Sequence, residues 1–283
     1  MPSKIKAVLL GIVYLFAIQR MDGQLAVIRT TSLPNHAVQV VTPFGETSAS
    51  VTRLDPSPDL LIAIAKDTLA QDDYPEIRRL IASLYKSLHS DTIVRVAILR
   101  QGAGLEIAGP FRSAAEWQTV LRRTTPDSES PTVRDAGLFI PALADGADPD
   151  PPRWGAMLVL GRIPDFPLTV SPSVSQYAAA WLGGKTIAQK RTLLFRDISG
   201  SPLPQWAVFA AGATGGIAFA PGEDPAAILA APSQFAAVSW DTRPPTSGFD
   251  VQMARIIGFD DLPNLALPSI SGRSVLPDPR AYL

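Results

Sequence analysis

A chain of 283 residues, of which 46% are hydrophobic, is long enough to form one large α/β domain or two small ones with a full core. The formal net charge of −1 gives no electrostatic basis for binding nucleic acid or an acidic membrane surface. Because the sequence contains no cysteine, it excludes disulfides, thiol catalysis, zinc–thiolate sites and lipidation of a cysteine. The two histidines leave little for imidazole metal sites.

Residues 1–23 have the composition of an export signal. Lys4 and Lys6 precede an apolar run over residues 7–18, and a polar stretch follows that run. The run is too short to cross a bilayer comfortably and has the proportions of a signal peptide. We therefore expect residues 1–23 to be cleaved near Gly23, and the mature chain to be secreted or delivered to the periplasm or cell envelope without a membrane span. An uncleaved anchor, or a first strand of the domain, is the alternative.

Residues 24–58 are predicted to form an extended or hairpin lead-in. Two β-type segments at 37–41 and 48–54 flank a turn that contains Pro43 and Gly45. The Asp-Pro-Ser-Pro sequence at 55–58 then ends this segment before the main domain.

The stretch from Asp59 to Leu88 dominates the sequence. Its first residues form an unbroken apolar run at 60–65, and after Asp73 apolar residues recur at helical spacing. This pattern is typical of a buried parallel strand that leads into a surface helix, with Asp73 as the predicted N-cap. Because ligands in such sheets lie beyond the carboxyl ends of the strands, we expect a site at residues 66–71.

The rest of the chain alternates strands and helices. Strands are predicted at 92–99, 105–108, 154–160, 192–195, 217–220, 235–240 and 249–258. Helices are predicted at 113–123, before Leu143, at 173–182, at 201–213 and from Asp224. Gly183 and Gly184 are predicted to end the helix at 173–182. The tail after Leu262 is predicted to lie on the surface or to be disordered. The alternation predicts an α/β fold with a mostly parallel sheet.

The order strand, helix, hairpin, helix, helix, strand, helix, strand, helix, strand, helix resembles a von Willebrand factor A-type (vWA) domain, and more narrowly secreted bacterial vWA-related proteins. The resemblance covers about residues 59–240. Its local matches are Leu60–Thr68, Ser113–Leu121, Pro131–Ala136, Met157–Leu160 and Ala213–Gly216. The resemblance implies a three-layer Rossmann-like fold with a mostly parallel central sheet and helices on both faces. It divides the chain into the lead-in at 24–58, a vWA-like domain at 59–242, and a C-terminal strand and irregular tail at 243–283.

The family's metal-ion-dependent adhesion site takes its ligands from an Asp-x-Ser-x-Ser loop, from a threonine in a second loop and from an aspartate in a third. The first loop here is Ala65–Leu69, or residues 63–67 in a shifted frame, and neither frame supplies an aspartate followed by two serines. Arg162 takes the place of the third-loop aspartate, and only Thr132 is retained. The resemblance therefore implies a degenerate site, with no metal and no cofactor.

Positive charge at this loop face also opposes a cation. Lys66 and Arg162 both lie there, and Asp67 is available to pair with either of them. Asp67 and Asp165 as shifted ligands leave open the alternative of a metal-dependent adhesion domain with substituted ligands.

We expect a non-catalytic module that binds a protein partner, not yet identified, through the loops at 66–71, 125–132 and 162–168. The candidate interaction-face residues are Lys66, Asp67, Thr68, Thr132, Arg162 and Asp165. No catalytic residue is assigned.

Three other function classes compete with this one: a hydrolase, a nucleotide-binding enzyme and a structural subunit. A hydrolase would need a nucleophile turn such as Gly-x-Ser-x-Gly, which the sequence lacks, and Ser32 and Ser201 have no evident histidine base. The Gly-Gly-Lys-Thr sequence at 183–186 follows a helix rather than a strand, which is the wrong context for a phosphate-binding loop. A structural subunit of an envelope assembly, docked through the tail after Leu262, is the remaining alternative.

Overall fold

The computed structural model describes residues 24–30, 32–42, 45–54, 56–88, 92–100, 104–111, 116, 135–145, 154–230, 234–240, 252–257 and 265–269. These residues form two six-stranded sheets. Predictions for residues 1–23, for most of the helix at 113–123 and for Thr132 lie outside the described residues.

The first sheet is mostly parallel, as predicted. Its strands are β4 (Pro56–Ala65), β5 (Ile93–Arg100), β6 (Gly104–Phe111), β7 (Trp154–Gly161), β8 (Arg191–Asp197) and β9 (Ile217–Ala218). They lie in the order β6-β5-β4-β7-β8-β9, in which β6 pairs antiparallel with β5 and the other neighbours pair parallel. The unbroken apolar run at 60–65 is the central strand, which has neighbours on both sides and is buried on both faces.

Helices cover both faces of this sheet. They are α1 (Tyr74–Ser87), α2 (Ala136–Asp145), α3 (Pro172–Ala188), α4 (Gln205–Ala213) and α5 (Pro225–Ala230). Side chains of β4 alternate between two apolar cores: Leu61 and Ala63 pack with α2, α3 and α4, whereas Leu60 and Ile62 pack with α1 and α5. The result is three layers. Within the described ranges, no helix has the length and apolar character needed to cross a membrane.

The prediction that Gly183 and Gly184 end a helix is wrong, because α3 continues to Ala188. One turn further on, Thr186 is 1% exposed, and its hydroxyl donates a hydrogen bond to the Leu182 carbonyl at 2.7 Å. Tertiary burial of this last turn outweighs the preference of about 1 kcal/mol against each interior glycine. The chain turns away at Lys190, which has a left-handed φ of 54°.

The second sheet is antiparallel and draws its strands from both ends of the described chain. They are β1 (Gln24–Thr30), β2 (Val38–Thr42), β3 (Gly45–Leu54), β10 (Gln234–Trp240), β11 (Gln252–Ile257) and β12 (Leu265–Ser269). The order is β1-β10-β3-β2-β11-β12. The predicted hairpin is present as β2 and β3, and a strand, β12, lies in the segment for which irregular structure was expected. The lead-in and the C-terminal region, which the sequence analysis set apart, therefore share one sheet.

Strand β3 belongs to the antiparallel sheet and leads along the chain into β4 of the parallel sheet. Its first half pairs with β2, from Gly45 opposite Thr42 to Ala49 opposite Val38. Its second half pairs with β10 and ends with Leu54 opposite Phe235. Only Asp55 separates β3 from β4 in the sequence. The chain therefore leaves the antiparallel sheet after β3 to form the α/β unit, and it returns to that sheet at β10, the neighbour of β3.

Candidate functional site

The predicted site lies where β4 and β7 end side by side. After Ala65, β4 continues into a single 3-10 turn at Lys66–Thr68, and β7 ends at Gly161. A Cβ placed on Gly161 would lie 2.7 Å from the Ala65 Cβ and 2.8 Å from the Thr68 Oγ1. The two loops are therefore in direct contact, and only a glycine permits this approach.

Thr68 joins the two loops by hydrogen bonds. Its hydroxyl donates to the Ala65 carbonyl at 2.8 Å and accepts from the Arg162 backbone N–H at 3.2 Å. The residue is 2% exposed. Thr68, predicted for the interaction face, is thus a buried residue that holds this face together.

Arg162 closes the contact with an ion pair to Asp73. Its Nε donates to the Asp73 Oδ2 at 2.7 Å, and its Nη2 donates to Oδ1 at 2.9 Å. This bidentate pair joins the loop after β7 to the start of α1. The hydrogen bond that Arg162 donates to Asp73 is the main cause that raises the pKa of the guanidinium above its ordinary value, so the group stays charged.

The sequence pattern indicates Asp73 as the start of α1 but does not indicate its pairing with Arg162. The predicted N-cap hydrogen bond from its side chain is absent, and the Asp73 Oδ2 instead accepts the Ala70 backbone N–H at 2.8 Å. The available signal was the coincidence of an unexpected arginine after β7 and an acidic pair, Asp72 and Asp73, in the facing loop.

The other predicted residues occupy different surroundings. Lys66 is buried and Asp67 is half-buried, whereas Asp165 is exposed. Asp165 is engaged locally: its Oδ1 accepts the Phe166 N–H at 2.8 Å, and its carbonyl accepts the Ala136 N–H of α2 at 3.2 Å. The structure therefore brings Arg162 and Thr68 together, whereas Asp165, on the same loop as Arg162, contacts the start of α2 instead.

The loop that follows β7, residues 162–170, is anchored at several points. The Trp206 indole Nε1 donates to the Pro164 carbonyl at 2.9 Å, and Phe166 packs against the core. Between these anchors and the turn that closes at Val170, Leu168 is fully exposed. Leu138, at the start of α2, is also half exposed. A rigid loop thus presents an apolar side chain to solvent.

Asp197, at the end of β8, was not singled out from the sequence. It is 4% exposed, its Oδ2 accepts the Ile163 N–H at 2.7 Å, and its Oδ1 accepts the Ser199 N–H at 2.7 Å. An aspartate that ends a buried apolar strand was the signal available in the sequence. Both carboxylate oxygens are used to fix backbone.

Among the described residues, several groups at this edge are already engaged or lack an oxygen that could bind a cation. Ala65 supplies no side-chain oxygen, the Thr68 hydroxyl already makes two hydrogen bonds, and the Asp73 carboxylate is bound by Arg162. Within the part of the chain that the structure describes, no three His, Asp or Glu side chains gather into a group that could hold a metal ion.

The comparisons with known proteins give distant likenesses of fold. No protein-family model and no curated protein matches the sequence. Among solved structures, the chain is similar to a von Willebrand factor type A protein from Catenulispora acidiphila, at 11% identity over 87% of this chain and 72% of that one, with a TM-score of 0.42. It is also similar to an aerotolerance-related membrane protein from Bacteroides fragilis, at 17% identity over 52% of this chain and 71% of that one, with a TM-score of 0.32.

A third similar structure is proximal thread matrix protein 1 of the mussel byssus, at 13% identity and a TM-score of 0.34. The match covers 51% of this chain but only 38% of the mussel protein. All three likenesses concern the fold and carry no argument about function. From β4 to α5, the described elements follow the order on which the vWA resemblance rests, and the helix expected at 113–123 lies almost wholly outside the described residues.

Proposed function

We propose that this chain is a secreted vWA-like protein-interaction module that works without catalysis and without a metal ion at its loop face. The observation that carries the proposal is the Arg162–Asp73 pair at the junction of the two loops. Export rests on the composition of residues 1–23, and N-terminal sequencing of the mature protein tests it.

The pair supports a degenerate metal site for an electrostatic reason. A cation at this edge would meet a guanidinium that stays charged, and it would have to displace that guanidinium from Asp73. Breaking a bidentate, charge-assisted interaction in this way costs free energy that metal binding would have to recover. The same bonds hold the loops in one arrangement, and this rigidity suits a preformed protein-binding surface.

The exposed apolar side chains support a protein partner. Leu168 is fully exposed on a loop whose neighbouring residues are anchored, and the polar groups of Arg162 and Asp165 lie on the same loop. An apolar centre with a polar rim is the usual anatomy of a protein interface.

Thermal unfolding tests the metal-free part of the proposal. The full chain is unfolded with chelator and then with excess magnesium, manganese or calcium. We expect the same midpoint in every case, whereas a bound ion at a hundredfold excess over its Kd would add about 2.7 kcal/mol of stability. A clear rise that Thr132→Ala abolishes would instead establish the metal-dependent adhesion alternative.

A matched pair of surface variants tests the interaction face. Leu168→Asp places a charge on the loop face, and Val208→Asp places one at an apolar position of α4 that is 49% exposed. In affinity enrichment from the source cells, we expect a partner that wild type and Val208→Asp retain and that Leu168→Asp loses. A set of bound proteins that is identical for all three chains would contradict the proposed face.

A further inference from the structure

A cavity of about 130 Å³ lies at the amino end of the parallel sheet, away from the loop face. The amino-terminal halves of β4, β7 and β8 line it, together with residues 215–216 before β9. The antiparallel sheet contributes Arg29 of β1 and Phe235 of β10. Both sheets therefore line this cavity, which lies at the seam between them.

Tight backbone packing holds the wall of the cavity in one arrangement. A Cβ on Gly155 of β7 would lie 2.8 Å from the Asp59 carbonyl oxygen of β4. A Cβ on Gly215, which has a left-handed φ of 68°, would lie 2.7 Å from the Val27 carbonyl oxygen of β1. Because the wall is fixed before anything binds, a ligand does not have to order it, and binding costs less free energy.

Many of the side chains in the wall are apolar. They include Leu60, Trp154, Ala156, Leu194, Leu229 and Phe235. An apolar protein cavity of about 150 Å³ admits a molecule of the size of benzene. The space therefore fits an organic body of about one six-membered ring.

Thr192 adds a polar group that the fold does not use. The residue is 2% exposed and lines the cavity, and its Oγ1 makes no hydrogen bond within the described part of the chain. In the β7–β8 ladder it lies opposite Ala156, which lines the same cavity. A buried hydroxyl without a partner is costly, and most such groups in proteins are satisfied. A ligand hydroxyl in the cavity would satisfy this one.

Charged groups of both signs border the cavity, and they have partners within the protein. The Asp59 Oδ2 accepts the Arg95 Nη1 at 2.7 Å and the Arg191 Nη2 at 3.3 Å, and Arg29 also interacts with other groups of the protein. An anion in the cavity would meet the buried Asp59 carboxylate, whereas a cation would meet the guanidinium of Arg29. Since taking a charge out of water is costly, an uncharged ligand fits these surroundings best.

We propose that this cavity binds a small uncharged molecule that carries a hydroxyl group on a single ring. The ligand hydroxyl exchanges a hydrogen bond with Thr192, which can donate or accept, and the ring fills the apolar part. Because both sheets supply walls, the bound molecule stabilises their association. This site is independent of the loop face and of its proposed partner.

Calorimetric titration of the full chain with phenol tests the proposal. We expect saturable binding and a rise in the midpoint of thermal unfolding, because a ligand of the folded state stabilises that state. Benzoate adds a negative charge to the same ring and should bind about tenfold more weakly, or less tightly still. The absence of saturable phenol binding, or binding of benzoate as tight as that of phenol, would overturn the assignment.

A comparison of two ligands tests the role of the Thr192 hydroxyl. Thr192→Val keeps the shape of the side chain and removes its hydroxyl, so it should weaken phenol about fivefold, the effect of one hydrogen bond. Toluene has a methyl group in place of the phenol hydroxyl, and its affinity should not fall in this variant. Thr192→Ser retains the hydroxyl and should retain the binding of phenol. Equal losses for phenol and toluene in Thr192→Val would refute the assigned hydrogen bond.

A variant that fills the cavity, with a matched control, locates the binding. Ala156→Leu should abolish the binding of phenol, because the added side-chain atoms occupy the space beside Thr192. Thr52→Val, which removes an exposed hydroxyl from β3 of the antiparallel sheet, should bind phenol as wild type does. If Ala156→Leu fails to fold, the comparison at Thr192 decides the question. Undiminished binding of phenol by folded Ala156→Leu would refute the site.

Discussion

The two ends of the parallel sheet contain the same chemical pair in different surroundings. At the carboxyl end, the Arg162 side chain is 44% exposed and binds Asp73 at 2.7 Å. At the amino end, Arg191 is fully buried and binds Asp59 at the longer distance of 3.3 Å. The contribution of such an ion pair to stability depends less on the distance between its atoms than on whether water can reach the charge that is left when one partner is removed. A buried charge left alone cannot recover its hydration, whereas an exposed one can.

The largest effect is expected at the amino end. Asp59→Asn removes the carboxylate that both Arg95 and Arg191 bind, so the fully buried Arg191 loses the negative charge of this partner. We expect the free energy of unfolding to fall by about 3 kcal/mol or more. Chemical denaturation at neutral pH measures this change.

Asp165→Asn is the control for that measurement, because it removes an exposed carboxylate from the other end of the same sheet. Its effect should be small. Similar losses for the two variants would show that burial does not distinguish these carboxylates, and the comparison between the two ends would fail.

An intermediate effect is expected at the carboxyl end. Asp73→Asn weakens the bidentate pair with Arg162, but half of that arginine is already in water and recovers its hydration. We expect a loss of about 1 kcal/mol in the free energy of unfolding. The adjacent exposed Asp72→Asn is the matched control. A loss equal to that of Asp59→Asn would contradict the argument.

The smallest effect is expected for a third pair, on the surface of α1. Arg79 binds Glu76 at 2.7 Å, and this hydrogen bond is the main cause that lowers the pKa of Glu76 below its ordinary value of 4.5. Because the folded-state pKa is lowered, the stabilisation is complete above pH 4.5 and is lost as the pH falls through the lowered pKa. Arg79→Gln should reduce stability several-fold less than Asp73→Asn does.

The pH dependence sharpens that comparison. Denaturation of wild type and Arg79→Gln between pH 3 and pH 7 should give curves that approach each other at the acidic end. Glu76 keeps the buried Arg196 at 3.8 Å in the variant, so part of its interaction remains. If the free energies of unfolding of wild type and Arg79→Gln differed more at acidic pH than at neutral pH, the lowered pKa of Glu76 would be contradicted.

Most strands and helices of the α/β unit could be predicted from the sequence. Unbroken apolar runs such as residues 60–65 indicated buried parallel strands, and helical spacing located α1, because local patterns record burial. No local pattern of this kind indicates which strands pair in the antiparallel sheet. A strand such as β1 shows alternation, but nothing in its residues names β10 as its neighbour. The prediction that α3 ends at Gly183 was wrong for a related reason, because tertiary burial of the last turn outweighed the low helix preference of glycine.

The functional residues were less predictable. The sequence singled out the turn after β4 as a site, and the structure places this turn against the loop after β7. The partnership of Arg162 with Asp73 depends on folding and leaves no local pattern. At the amino end, Arg95 and Arg191 are cations near the starts of two strands whose central residues are mostly apolar. Such residues mark a buried charge cluster, and this signal was available before the structure was.

The direct passage from β3 to β4 has a mechanical consequence. The chain enters the α/β unit after Leu54 and returns at Phe235, and these two residues face each other in the β3–β10 ladder. A force applied to the two ends of the chain must therefore break that ladder before it can stretch anything between residues 56 and 230. The antiparallel sheet thus bears the force. The α/β unit is not stretched, and stays folded, as long as the β3–β10 pairing is intact.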